Sequence, residues 1–81
     1  MLVTVSFYSW FKDQTGCQQI VEDVPEDSTL ADLIRKLLVR FPGLARVQRS
    51  MLMAVGVEYQ DRGYVLKAGD EVSLFPPVQG G

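Results

Sequence analysis

The sequence contains no histidine and a single cysteine, Cys17. The first absence removes the commonest general base and the commonest metal ligand. The second excludes an internal disulfide and any iron–sulfur cluster built on several thiolates. Without an imidazole to activate its thiol, Cys17 reads as a small, half-buried hydrophobe following Gly16. No metal site is expected. Long apolar runs are also missing, and none approaches the roughly eighteen residues of a membrane span. The first residues lack the basic-then-apolar plan of a signal peptide. A cytoplasmic chain without membrane contact is therefore expected. Nor does one sign of charge dominate: the net charge is −2 with the signs interspersed along the chain. No run of basic residues offers itself to phosphates, so no nucleic-acid partner is expected.

What is present fits one small folded domain. A chain of 81 residues buries only about 60–65% of its unfolded surface, so it needs an economical two-layer plan. A hydrophobic content of 47% is enough for such a core and argues against disorder. Val3, Val5 and Phe7 alternate with Thr4, Ser6 and Tyr8, the period of a half-buried strand. Trp10 to Thr15 reads as a connection ending at Gly16, with Trp10 and Phe11 either extending an outer aromatic surface or covering the end of the core. Cys17 to Val24 reads as a returning antiparallel strand whose inward face is undecided, because Ile20 and Val21 are adjacent.

Pro25 to Thr29 is a turn leading into a helix, with Ser28 or Thr29 as cap and Asp32 three residues after Thr29. Leu30, Leu33, Ile34, Leu37, Leu38 and Phe41 then form one apolar stripe. Pro42-Gly43 stops the helix, and Leu44 to Arg49 connects onward with a short helical turn. Met51 to Val57 has strand length and composition. Glu58 to Gly63 carries turn residues, Tyr64 to Leu66 suggests a short strand, and Lys67 to Asp70 is a turn. Glu71 to Phe75 is the last strand, with Val72 and Leu74 inward and Ser73 and Phe75 outward.

One helix cannot cover both faces of the sheet, so the class is α+β. A hairpin, a helical crossover and a third strand returning beside the first describe a mixed sheet wrapped around one main helix. This is the ubiquitin-like β-grasp, occupying residues 1–75. Residues 76–81 form an extended tail. Pro76 and Pro77 cannot continue the ladder, and Gly80-Gly81 has no side chains. Extended, this tail reaches roughly 20 Å and is thin enough at its tip to enter a tunnel that rejects any Cβ.

Gly69-Asp70-Glu71-Val72 followed by Pro76-Pro77-Val78-Gln79-Gly80-Gly81 resembles the small sulfur-carrier subunits of molybdopterin synthase. Leu52 to Val55 resembles their third strand, and Phe7 to Gly16 their first strand and loop, so the likeness covers the whole chain. The resemblance implies that an adenylating enzyme of the ubiquitin-activating type uses ATP on the Gly81 carboxylate, and that a sulfur donor converts the adenylate to a thiocarboxylate. Gly80 and Gly81 would be the reacting end. The molybdopterin synthase large subunit would then take the tail in a heterotetramer and use the sulfur to build a dithiolene on cyclic pyranopterin monophosphate. No cofactor would be bound by this chain. Tyr8, Tyr59, Phe75, Pro76, Pro77, Val78 and Gln79 would contact partners, with Tyr8 and Phe75 forming one outer aromatic patch.

Other readings share the fold and the tail. They are a sulfur carrier for thiamin synthesis or transfer-RNA thiolation, a ubiquitin-like modifier joined to lysines, and a β-grasp interaction domain with an incidental tail. The paired prolines and the chain length favour the molybdopterin branch.

Overall fold

The computed structural model describes residues 1–76. Strand β1, Leu2–Phe7, buries Val3, Val5 and Phe7 and turns Leu2, Thr4 and Ser6 outward. The following segment is not an irregular connection but a short helix, α1, Trp10–Thr15. Phe11 is fully buried and anchors it, and Gly16 closes it in the left-handed region (φ 72°), donating its N–H to the Lys12 carbonyl at 3.0 Å. Glycine adopts that φ without strain. Six residues are too few to display a helical period, so propensity alone did not reveal this turn.

Strand β2, Gln19–Asp23, is shorter than the expected Cys17–Val24. It pairs antiparallel with β1 from Leu2↔Asp23 to Ser6↔Gln19, making the expected hairpin. Its inward face carries Ile20, Glu22 and, just beyond the strand, Val24. An acid therefore occupies a core-facing position, with its side chain only 6% exposed. The Glu22 carboxylate is clamped by two cations from the main helix: Arg40 Nη1 donates to one oxygen, and Lys36 Nζ lies 3.5 Å from the other. Burial without these partners would cost several kcal/mol, on the order of the penalty for a desolvated unpaired charge.

That helix, α2, spans Leu30–Arg40. Thr29 caps it through a reciprocal pair of bonds. The Asp32 N–H donates to Thr29 Oγ1 at 3.2 Å, and the Thr29 N–H donates to Asp32 Oδ2 at 2.9 Å. Leu30, Leu33, Ile34 and Leu37 are buried to 1% exposure or less, and Leu38 and Phe41 flank them as partly buried neighbours. The helix gives way to a 3₁₀ helix, Pro42–Val47, whose Leu44 is fully buried.

Strand β3, Leu52–Val55, ends sooner than the apolar run suggests, because Gly56 (φ 62°) turns the chain into a two-residue strand β4, Glu58–Tyr59. The short strand thus lies at 58–59 and not at Tyr64–Leu66. The latter segment makes one isolated bridge, Thr29↔Val65, and is fastened to the start of α2 by the Leu66 N–H bonding the Ser28 carbonyl at 2.8 Å. Its apolar residues follow the helix, not a ladder.

Strand β5, Glu71–Phe75, completes a sheet of order β2-β1-β5-β3-β4. The third strand does not return beside the first. β5 intervenes, parallel to β1 and antiparallel to β3. The result is the mixed sheet of a ubiquitin-like β-grasp, with α2 packed on one face and no element covering the other among the described residues. Among the described residues, no helix is long and apolar enough to cross a membrane.

Replacing Thr29 by alanine should cost about 1 kcal/mol through loss of the cap. Leu37→Asp should cost about 3–5 kcal/mol by burying an unpaired charge. Urea denaturation checks both, and near-native stability of the second variant would contradict the placement of α2. The Thr29 backbone N–H holds the Asp32 carboxyl below its ordinary value. Its share of stability is therefore present above the unfolded carboxylate range and lost as pH falls through the lowered folded value. Asp32→Asn should be less stable at neutral pH and show a shallower acid loss in a series of urea midpoints.

Candidate functional site

The open face of the sheet is read from strand alternation. With Phe7 and Leu74 inward, Tyr8 and Phe75 must point outward, and the parallel register Phe7↔Leu74 sets them side by side. The Tyr8 N–H extends the ladder by one step, donating to the Leu74 carbonyl at 3.3 Å. The two rings stack with centroids 4.8 Å apart and planes 14° from parallel. Tyr59 reaches the same place from β4, its ring edge-on to Phe75 at 6.3 Å and 67°. Phe75 is thus the centre of a three-ring cluster, flanked by tyrosines that are 46% (Tyr8) and 69% (Tyr59) exposed.

The structure therefore brings Tyr8, Tyr59 and Phe75 together, as the alternation of β1 and β5 suggested for the first and last of them. Trp10 does not join the cluster. It packs edge-to-face on buried Phe11 at 5.6 Å and helps cover the end of the core. Leu52, not among the expected contact residues, is opposite Phe75 in the β3–β5 register and shares the outer face. The unbroken apolar run Met51–Val55 carries no alternation that would separate its outward from its inward residues, so no sequence signal marks Leu52.

The last strand ends at Phe75, and Pro76 is half-buried just beyond it. A proline lacks the N–H that another ladder step would require. The chain thus leaves the sheet from within the aromatic cluster. Pro77, Val78, Gln79, Gly80 and Gly81 lie outside the described residues, so the expectations for them rest on sequence.

Little else among the described residues offers chemistry. Cys17 is half-buried against the core. Among the described residues, no group of three or more His, Cys, Asp or Glu side chains is placed to hold a metal ion. The one tyrosine with a raised pKa, Tyr64, is shifted first by burial and then by the Asp70 charge. Its hydroxyl donates to Asp70 Oδ2 at 3.3 Å, and the Lys67 N–H donates to the same oxygen at 2.8 Å. This arrangement fastens the turn before β5 and has no reactive partner. What the site can do is present an apolar, partly exposed surface at the point where the last strand ends. Exposed aromatics gathered in this way commonly mark protein contacts.

The ThiS family matches residues 5–81. The human molybdopterin synthase sulfur carrier subunit is 33% identical to this chain over 82 residues, covering 98% of this chain and 93% of its own. Small archaeal modifier protein 1 of Haloferax volcanii is 26% identical, with a TM-score of 0.86 over 95% of this chain and 98% of its own. Subunits of the molybdopterin-converting factor of Helicobacter pylori, solved as a complex of subunits 1 and 2, include a chain 29% identical with a TM-score of 0.72, covering all of both chains.

A double-mutant cycle on Tyr8→Ala and Phe75→Ala should return a coupling of about 0.5–1.5 kcal/mol for the stacked pair. Denaturant midpoints measure it without any partner, and strictly additive effects would contradict the stack.

Proposed function

The chain belongs to the ThiS family of ubiquitin-like sulfur carriers, and from that membership we propose that it is the sulfur-carrying subunit of a molybdopterin synthase. One observation carries the reading beyond the family: the chain leaves the sheet inside the Tyr8–Phe75–Tyr59 cluster. A partner that covers the rings lies beside Pro76, from which the Gly-Gly terminus continues in the sequence. Docking surface and reagent are thus one feature, and Pro76 and Pro77 reduce the entropy the tail loses on entering a partner.

A carboxylate is a poor electrophile because its charge is delocalised and its leaving group is bad. The Gly81 carboxylate attacks the α-phosphorus of ATP on an activating enzyme of the ubiquitin-activating type, forming an acyl adenylate and releasing pyrophosphate. A sulfur donor then displaces AMP and leaves a thiocarboxylate. On the large subunit the sulfur passes to the pyranopterin, and hydrolysis returns the carboxylate. A dithiolene holds two sulfurs, so two loaded tails are consumed per product. The carrier supplies no acid, base or metal. Its contribution is positional, holding sulfur at a high effective concentration where it is needed. Gly80 and Gly81 suit this role because any Cβ would crowd the adenylate and the tunnel.

The large-subunit partner is supported by the Helicobacter pylori complex, in which a similar chain is paired with subunit 2. A second reading is favoured by the likeness to small archaeal modifier protein 1: conjugation of the same activated tail to lysines. Carriers for thiamin synthesis or transfer-RNA thiolation would share the loading step and differ in the acceptor.

Intact-protein mass spectrometry after incubation with ATP, an activating enzyme and a sulfur source tests the reading. The expected result is a mass gain equal to sulfur replacing oxygen, localised to Gly81 and abolished by deletion of Gly80 and Gly81. Isopeptide-linked adducts without that gain would support the modifier instead. Addition of the large subunit and pyranopterin separates the molybdopterin role from the other carriers. Phe75→Ala should weaken the complex with the large subunit by at least about tenfold in titration calorimetry while remaining folded. Unchanged affinity would remove the cluster from the interface.

A further inference from the structure

The basic residues are dispersed along the sequence, yet three arginines are gathered in space. Arg35 from α2, Arg49 from the loop after the 3₁₀ helix and Arg62 from the loop after β4 line one cleft of about 530 Å³, with Ala31 and Gln48 between them. The cleft is built, not incidental: the Arg62 guanidinium donates to the Gln48 carbonyl and ties two of its walls together. Arg35 is paired with Asp32, both exposed to solvent. Arg49 is exposed and has no carboxylate within ion-pair distance among the described residues. Three guanidiniums therefore face two nearby carboxylates, Asp32 beside the cleft and Asp61 beside Arg62, and leave an excess of positive charge on a chain whose net charge is negative.

The cleft does not end at Arg62. The same residue borders a neighbouring groove of about 620 Å³ lined also by Met51, Leu52, Met53 and Tyr59, and by Gln60, Asp61 and Gly63, where the Asp61 carboxylate accepts the Gly63 N–H at 2.9 Å. Tyr59 is in turn the outer ring of the aromatic cluster. Aromatic surface, apolar groove and arginine cleft thus run into one another along one side of the molecule. A small anion would use the arginines and leave the groove untouched, whereas an extended peptide would use both. Arginine is suited to the second role, because its fork binds carboxylates bidentately and it is enriched at protein contacts where lysine is depleted.

We propose that the groove and the cleft form one docking track for an extended segment of a partner protein, in which an apolar anchor is followed by two or more carboxylates. The apolar residue lies against Met51, Leu52 and Tyr59, and the carboxylates pass Arg62 to reach Arg35 and Arg49. The track adds charge selectivity to the aromatic cluster, and in that respect it rests on the cluster being a docking face. Its test does not involve Gly81, so failure of the tail chemistry and failure of the track give different results.

The full chain, isotope-labelled for amide NMR, is titrated with a capped synthetic peptide of sequence Leu-Ser-Gly-Asp-Glu-Asp-Glu. A counterpart with Asn and Gln in place of the acids and inorganic pyrophosphate serve as comparisons. The expected result is shifts at Arg35, Arg49, Arg62, Met51 and Tyr59, with affinity that falls as salt rises. Arg49→Glu, with an unchanged melting temperature, should weaken the acidic peptide by at least about tenfold. Tyr59→Ala should weaken the acidic peptide and its neutral counterpart alike. Equal binding of the two peptides, shifts that avoid the track, or indifference to Arg49→Glu would overturn the proposal. Pyrophosphate moving the arginine amides while the peptide leaves Met51 and Tyr59 unmoved would also overturn it, in favour of a small-anion site.

Discussion

The parallel pairing of β1 with β5 is the constraint on which the rest of the molecule depends. It joins the first strand to the last, so every other element must be accommodated in the connection between them. The register Val5↔Val72 and Phe7↔Leu74 sets the inward rows that α2 covers. The same register, continued by one residue, places Tyr8 against Phe75. A slip of one residue would exchange the two faces of β5, sending Phe75 into the core and Leu74 to solvent. Core and surface cluster are thus set by one alignment, and the register of one cannot shift without the other.

The layered arrangement separates tasks. One face of the sheet is consumed by α2, the 3₁₀ helix and Phe11, which seal the core. The other face has no covering element among the described residues, and its apolar content is concentrated around Phe75. A chain of this size has one core to build and one large face left over. Here the exposed rings of the leftover face lie where the last strand ends.

Much of this was legible in the chain itself. The stripe Leu30–Leu33–Ile34–Leu37 and the Thr29–Asp32 pair announce α2, because local bonds and a single buried face dictate both. The outward positions of Tyr8 and Phe75 follow from alternation in two strands with strict period. The undecided face of β2 has a specific cause: its central inward residue is Glu22, kept there by Arg40 and Lys36 from eighteen and fourteen residues away in the chain. Helix α1 was hidden because its identity rests on one buried side chain, Phe11, and not on a repeat. The segment 64–66 looked like a strand because Tyr64, Val65 and Leu66 have the composition of one, yet their partners are Ser28 and Thr29 at the head of α2. The position of β5 between β1 and β3 is a tertiary choice that local patterns do not encode. The arginine cleft was invisible for a related reason, since its members come from three separate loops and helices.

The placement of β5 also has a mechanical consequence. A strand at the edge of a sheet can be peeled away one hydrogen bond at a time. β5 lies between two neighbours and is bonded to both. Tension applied beyond Phe75, along the strand axis, loads the bonds to β1 and β3 in shear, so many must yield together. A pull on the residues after Phe75 therefore meets the best-supported strand of the sheet first. Resistance to such a pull resides in the middle of the sheet and not at its edges.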